Sequence, residues 1–132
     1  MSDPKPYEIT FDDRTDYFYT HVVVHQIDEK MYSSCVTLIV NACRKAGRDR
    51  LLIERDIQGV VPKAVVLLQV RFLHEISEGL KVAIVDANRA NVAELERNIS
   101  LLGPNEENMR IFSDQDAAES WLADDLGAMI RT

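Results

Sequence analysis

The run Arg50-Leu51-Leu52-Ile53-Glu54-Arg55-Asp56-Ile57 decides the fold. Its apolar half, Leu51-Leu52-Ile53, carries no alternation, which fits a central strand covered on both faces rather than a strand with one wet side. Lys81-Val82-Ala83-Ile84-Val85-Asp86 repeats the pattern further on. Between the two, Pro62 to about Ser77 reads as a helix, because a first turn tolerates proline, whose missing N–H has no partner to lose there. Gly79 follows the end of that helix. A buried strand, a helix and a second buried strand predict a parallel pair joined by a crossover.

Towards the N-terminus, Met31, Cys35, Leu38, Ile39, Ala42 and Ala46 recur at helical steps, with Asp28 placed to cap the start and Gly47 to end it. Before that, Tyr7, Ile9 and Phe11 alternate with Glu8, Thr10 and Asp12, the period of a half-buried strand. Asp12 to Asp16 has turn chemistry, and the aromatic and β-branched stretch from Tyr17 to His25 reads as a second strand. Towards the C-terminus, Asn91 with Glu94 resembles a capping box, with Asn88 as the alternative cap. Val92, Leu95, Ile99 and Leu102 then form one stripe, ended by Gly103-Pro104. Met109–Phe112 is a short strand, and Ser113 or Asp114 caps a last helix bearing Ala117, Ala118, Trp121, Leu122 and Leu126. The order β-β-α-β-α-β-α-β-α predicts a single α/β domain over residues 1–132, a mixed five-stranded sheet with flanking helices.

The 132 residues carry 22 acidic against 15 basic side chains, a formal charge of −7. That balance disfavours nucleic acid, whose binding rests on neutralising phosphates. The charge is uneven: −4 over residues 1–30, +3 over 31–90 and −6 over 91–132. An acidic partner surface or an anionic amphiphile at the middle segment therefore stays open. Met1 to Pro6 is polar and proline-broken, unlike a targeting segment, and the apolar run Val60 to Leu73 is too short and interrupted for a membrane span. Cys35 and Cys43, eight residues apart, would lie about 12 Å apart on one helix, too far to bridge. Two reduced thiols without a leader point to the cytoplasm.

Ligands in open α/β sheets bind outside the carboxyl ends of the strands, and here those ends carry Glu54, Arg55, Asp56 and Asp86. The carboxylates suggest a divalent cation or an acid/base pair, set against the plainer reading of solvated helix caps. A phosphate-receiving domain is excluded by the opening hairpin and by the lack of lysine from Met109 to Asp116. His21 and His25, four apart, would sit about 13 Å apart on a strand, so one metal does not reach both. Nucleophile elbows, dinucleotide fingerprints and phosphate loops are absent from the sequence, and no cofactor or metal is expected. Arg44, Lys45, Arg48, Arg50 and Arg55 form a basic cluster suited to an anion or to the dipole end of the first helix. Ten of the fourteen residues from Val60 to Leu73 are apolar. Val65, Leu68, Phe72 and Ile76 make one stripe, while Val66, Val70 and Leu73 fall off it. A helix so apolar is either deeply embedded or covered by a dimer mate, a partner protein or a lipid-like ligand.

Several strings resemble the SpoIIAA-like family, a branch of the STAS-type (anti-sigma-factor antagonist) fold. They are Arg50–Asp56, Lys81–Asp86, Arg110-Ile111-Phe112 followed by Ala118-Glu119-Ser120-Trp121-Leu122, and the early Ile27-Asp28. The resemblance spans roughly Tyr7 to Leu126 and implies a mixed sheet with a non-enzymatic, regulatory or ligand-binding role. In the antagonists, the resemblance implies, a serine at the start of the second helix is phosphorylated by a partner kinase. Here no Ser, Thr or Tyr occurs between Thr37 and Ser77, so the switch residue is missing. The leading expectation is a non-catalytic module that binds partners through the second helix, as a homodimer, at Val65, Leu68, Phe72, Arg55, Asp56 and Asp86. The alternatives are a carrier or sensor of a small apolar ligand beside that helix, and an acid/base or metal-assisted enzyme at Glu54, Asp56 and Asp86.

Overall fold

The computed structural model contains β1 (Tyr7–Asp13), β2 (Phe18–Val24), α1 (Glu29–Lys45), β3 (Arg50–Ile57), α2 (Lys63–Ile76), β4 (Lys81–Asp86), α3 (Arg89–Ser100), β5 (Met109–Phe112) and α4 (Gln115–Arg131). It describes residues 7–14, 16–25, 29–57, 63–100 and 108–131, with the side chains of residues 29, 63–65, 67–69 and those from 125 onward outside that description. The element order is the one expected, in a single mixed sheet ordered β1-β2-β3-β4-β5. β1 runs antiparallel to β2, and the remaining neighbours are parallel.

That spatial order explains the layers. Each crossover steps one strand in the same direction, so the right-handed sense such connections take stacks α1, α2 and α3 on one face. Phe18, Val22, Leu51, Ile53, Val82, Ile84 and Ile111 meet these three helices in the larger core. Alternate residues point the other way, where Leu52, Ala83 and Val85 pack under Ala118 and Leu122 of α4. Burial on both faces is why β3 and β4 read as unbroken apolar runs. α4 packs on β3, β4 and β5. On β2, Tyr19, His21 and Val23 stay half-buried on that side.

α2 is the middle helix of the layer and packs against both α1 and α3. Its sheet-facing residues are Val66, Val70 and Leu73, the set that falls off the expected stripe. Phe72 and Ile76 are partly buried against the core, and the Phe72 ring meets Tyr32 of α1 edge-on at 6.4 Å. A helix flanked on two sides and floored by a sheet needs apolar residues around most of its girth, which accounts for these positions within the fold. The side chains of Val65 and Leu68 lie outside those described.

Local chemistry sets the ends of the elements. Arg14 and Tyr17 exchange backbone hydrogen bonds that close the hairpin, so Asp12 and Asp13, expected in the turn, extend β1 instead. At the end of α1, Gly47 donates to the Arg44 carbonyl and Arg48 to that of Cys43, with Gly47 at φ +76°. This paired closure needs a residue that enters the left-handed region without strain. Asn88 caps α3, its Oδ1 accepting from the Ala90 N–H at 3.0 Å, whereas Asn91 is buried inside the helix. Asp114 caps α4 by accepting from the Ala117 N–H at 2.9 Å. Asp28, Pro62 and the segment Leu102–Pro104 lie outside the described residues.

Candidate functional site

Parallel register sets Arg55 beside Asp86 at the carboxyl ends of β3 and β4. Odd positions of β3 and even positions of β4 face the three helices, so both side chains enter that layer. Arg55 Nε donates to Asp86 Oδ2 at 2.8 Å, with side-chain exposures of 9% and 3%. Asp86 Oδ1 accepts from the Asn88 N–H at 2.9 Å, and Asn88 in turn caps α3. One carboxylate thus ties together two strands and the start of a helix. Removing one partner of such a buried pair costs about 3–5 kcal/mol.

Glu54 and Asp56 take the opposite face. Glu54 Oε1 accepts the Tyr19 hydroxyl at 2.9 Å and lies 3.8 Å from His21 Nε2. Burial, then the hydrogen bond to Glu54, push the Tyr19 phenol up to about 12. Asp56 is exposed. The sheet therefore separates Asp86 from Glu54 and Asp56, and the three carboxylates do not meet in one cleft. His25 pairs with Glu8 at 3.2 Å, so the two strand histidines engage different carboxylates. Among the described residues, no three His, Cys, Asp or Glu side chains gather within reach of one metal ion.

Beside Arg55 lies a narrow apolar cavity of about 40 Å³, between α1 and the sheet. Val22, Tyr32, Cys35, Ile39, Ile53 and Ile84 line it, and among the described residues α2 contributes Leu73. Phe72 is not among its lining residues, and the pocket expected beside Val65 and Leu68 falls on side chains outside those described. The cavity's volume is roughly a quarter of the ~150 Å³ engineered cavity that takes up benzene. Burial holds the Tyr32 hydroxyl well above the usual phenol range, with nearby Arg55 opposing the shift. Burial also raises the thiols, Cys35 to about 12 and Cys43 to about 11. Neither is a nucleophile at neutral pH.

The basic cluster disperses. Arg44 donates to the Glu78 carbonyl, Arg48 pairs with Asp13 at 2.7 Å, and Arg50 donates to the Leu122 carbonyl of α4. Lys81, beside Arg50 in the register, reaches the Trp121 carbonyl and sits 4.3 Å from the Trp121 ring centroid. The sequence gives no hint of a further cluster at the hairpin. Arg14 stacks 4.0 Å from the centre of the Tyr19 ring and donates to the Tyr17 hydroxyl at 2.9 Å, which donates to Glu119 at 2.6 Å. That last bond, together with one from Gln115, lowers the Glu119 carboxyl below its usual range against the opposing pull of burial.

No protein-family model and no curated protein matches the chain. Among solved structures, it is similar to an uncharacterized protein of the DUF3478 family with a SpoIIAA-like fold from Shewanella loihica PV-4. The two share 20% identity over 92% of this chain and 98% of that one, with a TM-score of 0.55. It is also similar to a serine-to-glutamate variant of RsbS from Moorella thermoacetica, at 16% identity over 94% of this chain and 98% of that one, with a TM-score of 0.57. No described helix is long and apolar enough to cross a membrane. Sheet order, helix layers and both structural likenesses agree that the chain has the SpoIIAA-like α/β fold.

Proposed function

We propose that this chain is a non-catalytic regulatory module of STAS-like type, acting in the cytoplasm by binding a protein partner. The observation that carries the reading is the division of the strand-end carboxylates. Asp86 is held in a buried ion pair with Arg55, while Glu54 and Asp56 sit on the other face. The fold shared with a SpoIIAA-like protein and with RsbS supports it. Because no Ser, Thr or Tyr lies from Leu38 to Ile76, control here comes through binding rather than phosphorylation at the start of α2. In cells lacking the native copy, a Glu54→Ala/Asp56→Ala variant that folds normally restores function. Failure to restore it, with folding intact, overturns the non-catalytic reading.

The apolar cavity beside Arg55 favours a second reading, a sensor of a small amphiphile whose anionic end faces Arg55. At about 40 Å³, the cavity has to widen to admit such a molecule. Native mass spectrometry and calorimetry with short-chain fatty acids test it. Absence of binding at millimolar concentration ends that reading.

A further inference from the structure

We propose that the outer edge of β1 is a docking site for an extended, basic polypeptide segment, which adds to the sheet as a sixth strand. The proposal rests on the interaction role above and supplies it with a surface and a partner chemistry. β1 is the sheet's outer strand, and among the described residues only β2 pairs with it. An outer strand leaves a row of backbone N–H and C=O groups without a ladder partner. Folds blunt such edges with charged side chains, lysine above all, with proline, a bulge or a very short strand. β1 has seven residues, Tyr-Glu-Ile-Thr-Phe-Asp-Asp, in continuous register against β2; it has no proline or lysine, and its charges are all acidic, so they repel an acidic strand and leave the edge open to a basic one.

The side chains specify the guest. Tyr7, Ile9 and Phe11 continue the apolar face of the three-helix layer; Phe11 packs on Phe18 at 5.5 Å and still leaves 42% of its surface in solvent. Glu8, Thr10 and Asp12 point to the other face and are exposed there. Arg14 and His25 approach Asp12 and Glu8, yet these two carboxylates keep 62% and 66% of their side-chain surface in solvent, and β1 itself carries no basic residue. A guest strand alternating apolar residues with Arg or Lys matches both faces at once. A second copy of β1 matches less well: antiparallel pairing about Thr10 sets Glu8 against Asp12 twice, and no register brings a basic residue to these carboxylates, because the strand has none. Nucleic acid is excluded as an occupant by the same carboxylates and by the backbone groups, which call for a peptide.

The test uses the isotope-labelled chain and a capped heptapeptide alternating valine with arginine. Amide shifts concentrated in Tyr7–Asp13 and Phe18–Val24 are expected. Glu8→Lys/Asp12→Lys, both exposed positions, weakens binding about tenfold. The reversed variant prefers the peptide carrying glutamate for arginine, and N-methylation along one peptide edge abolishes binding. Affinity indifferent to charge reversal or to N-methylation overturns the proposal. So does a β1-dependent homodimer in sedimentation. Shifts confined to α1 and α2 also overturn it, while leaving the interaction role standing.

Discussion

Asp86→Asn is the substitution whose cost says most about the strand-end site. It keeps the shape of the side chain and removes its charge, leaving the Arg55 guanidinium in a setting where only 9% of that side chain reaches solvent. Loss of one partner from a buried pair costs about 3–5 kcal/mol. Asparagine still offers an oxygen to Arg55 Nε, which puts Asp86→Asn near the low end, at about 3 kcal/mol. Asp86→Ala also orphans the Asn88 N–H that seats the α3 cap, adding about 1 kcal/mol. With a urea dependence of roughly 1.5 kcal/mol per molar, Asp86→Asn lowers the unfolding midpoint by about 2 M. Replacing both partners, as Arg55→Met/Asp86→Leu, recovers most of the loss, because an apolar pair of similar volume carries no desolvation penalty. Equilibrium urea unfolding by circular dichroism and tryptophan fluorescence reads all three variants. A cost below about 1 kcal/mol for Asp86→Asn would falsify the claim that this carboxylate is locked in a structural pair, and would return it to the pool of reactive groups.

Four further outcomes are expected. Thr20 is fully buried on the three-helix side of β2, and its hydroxyl has no hydrogen-bond partner among the described residues, so Thr20→Val raises stability by about 1 kcal/mol in the same urea assay. Cys35 and Cys43 stay unmodified by a thiol reagent at pH 8 in the folded chain, and both react after unfolding. Because folding raises the Cys35 thiol from 9.0 to about 12 and the Tyr19 phenol from 10.0 to about 12, their contribution is complete below pH 9. It is lost as pH climbs towards 12, which a pH series of urea midpoints detects. Glu119 behaves oppositely, since folding lowers its carboxyl; the stability it adds is present above pH 4.5 and fades in acid, and Tyr17→Phe flattens that acid limb.

Where hydrophobic pattern alone governs, the sequence is legible. The unbroken runs of β3 and β4 demand cover on two sides, and the three-helix and one-helix layers supply it. α2 shows the limit of the same reasoning. Both of its apolar stripes fit the helical period, and only its place between α1 and α3 decides that Val66, Val70 and Leu73 meet the sheet. On paper Asn91, with Glu94 three residues on, is the better cap and Asn88 the alternative; the turn that Asp86 Oδ1 makes with the Asn88 N–H selects Asn88. Arg55 and Asp86 are recognisable as strand-end residues, but their pairing depends on a register that sequence does not display. The Arg14–Tyr17–Glu119 cluster joins residues a hundred positions apart, beyond the reach of any local pattern.

The sequential order β1-β2-β3-β4-β5 also bears on how the chain leaves the ribosome. Every strand is made after the neighbour it pairs with, so the sheet can lengthen one strand at a time without awaiting a distant partner. The three crossover helices cover one face as that growth proceeds. The opposite face is different: Leu52, Ala83 and Val85 wait for Ala118 and Leu122, which arrive only with α4. Until then the nascent domain holds a bare apolar strip, the interval in which a chaperone is most useful. The carbonyl contacts from Arg50 and Lys81 to α4 are the latch that closes it.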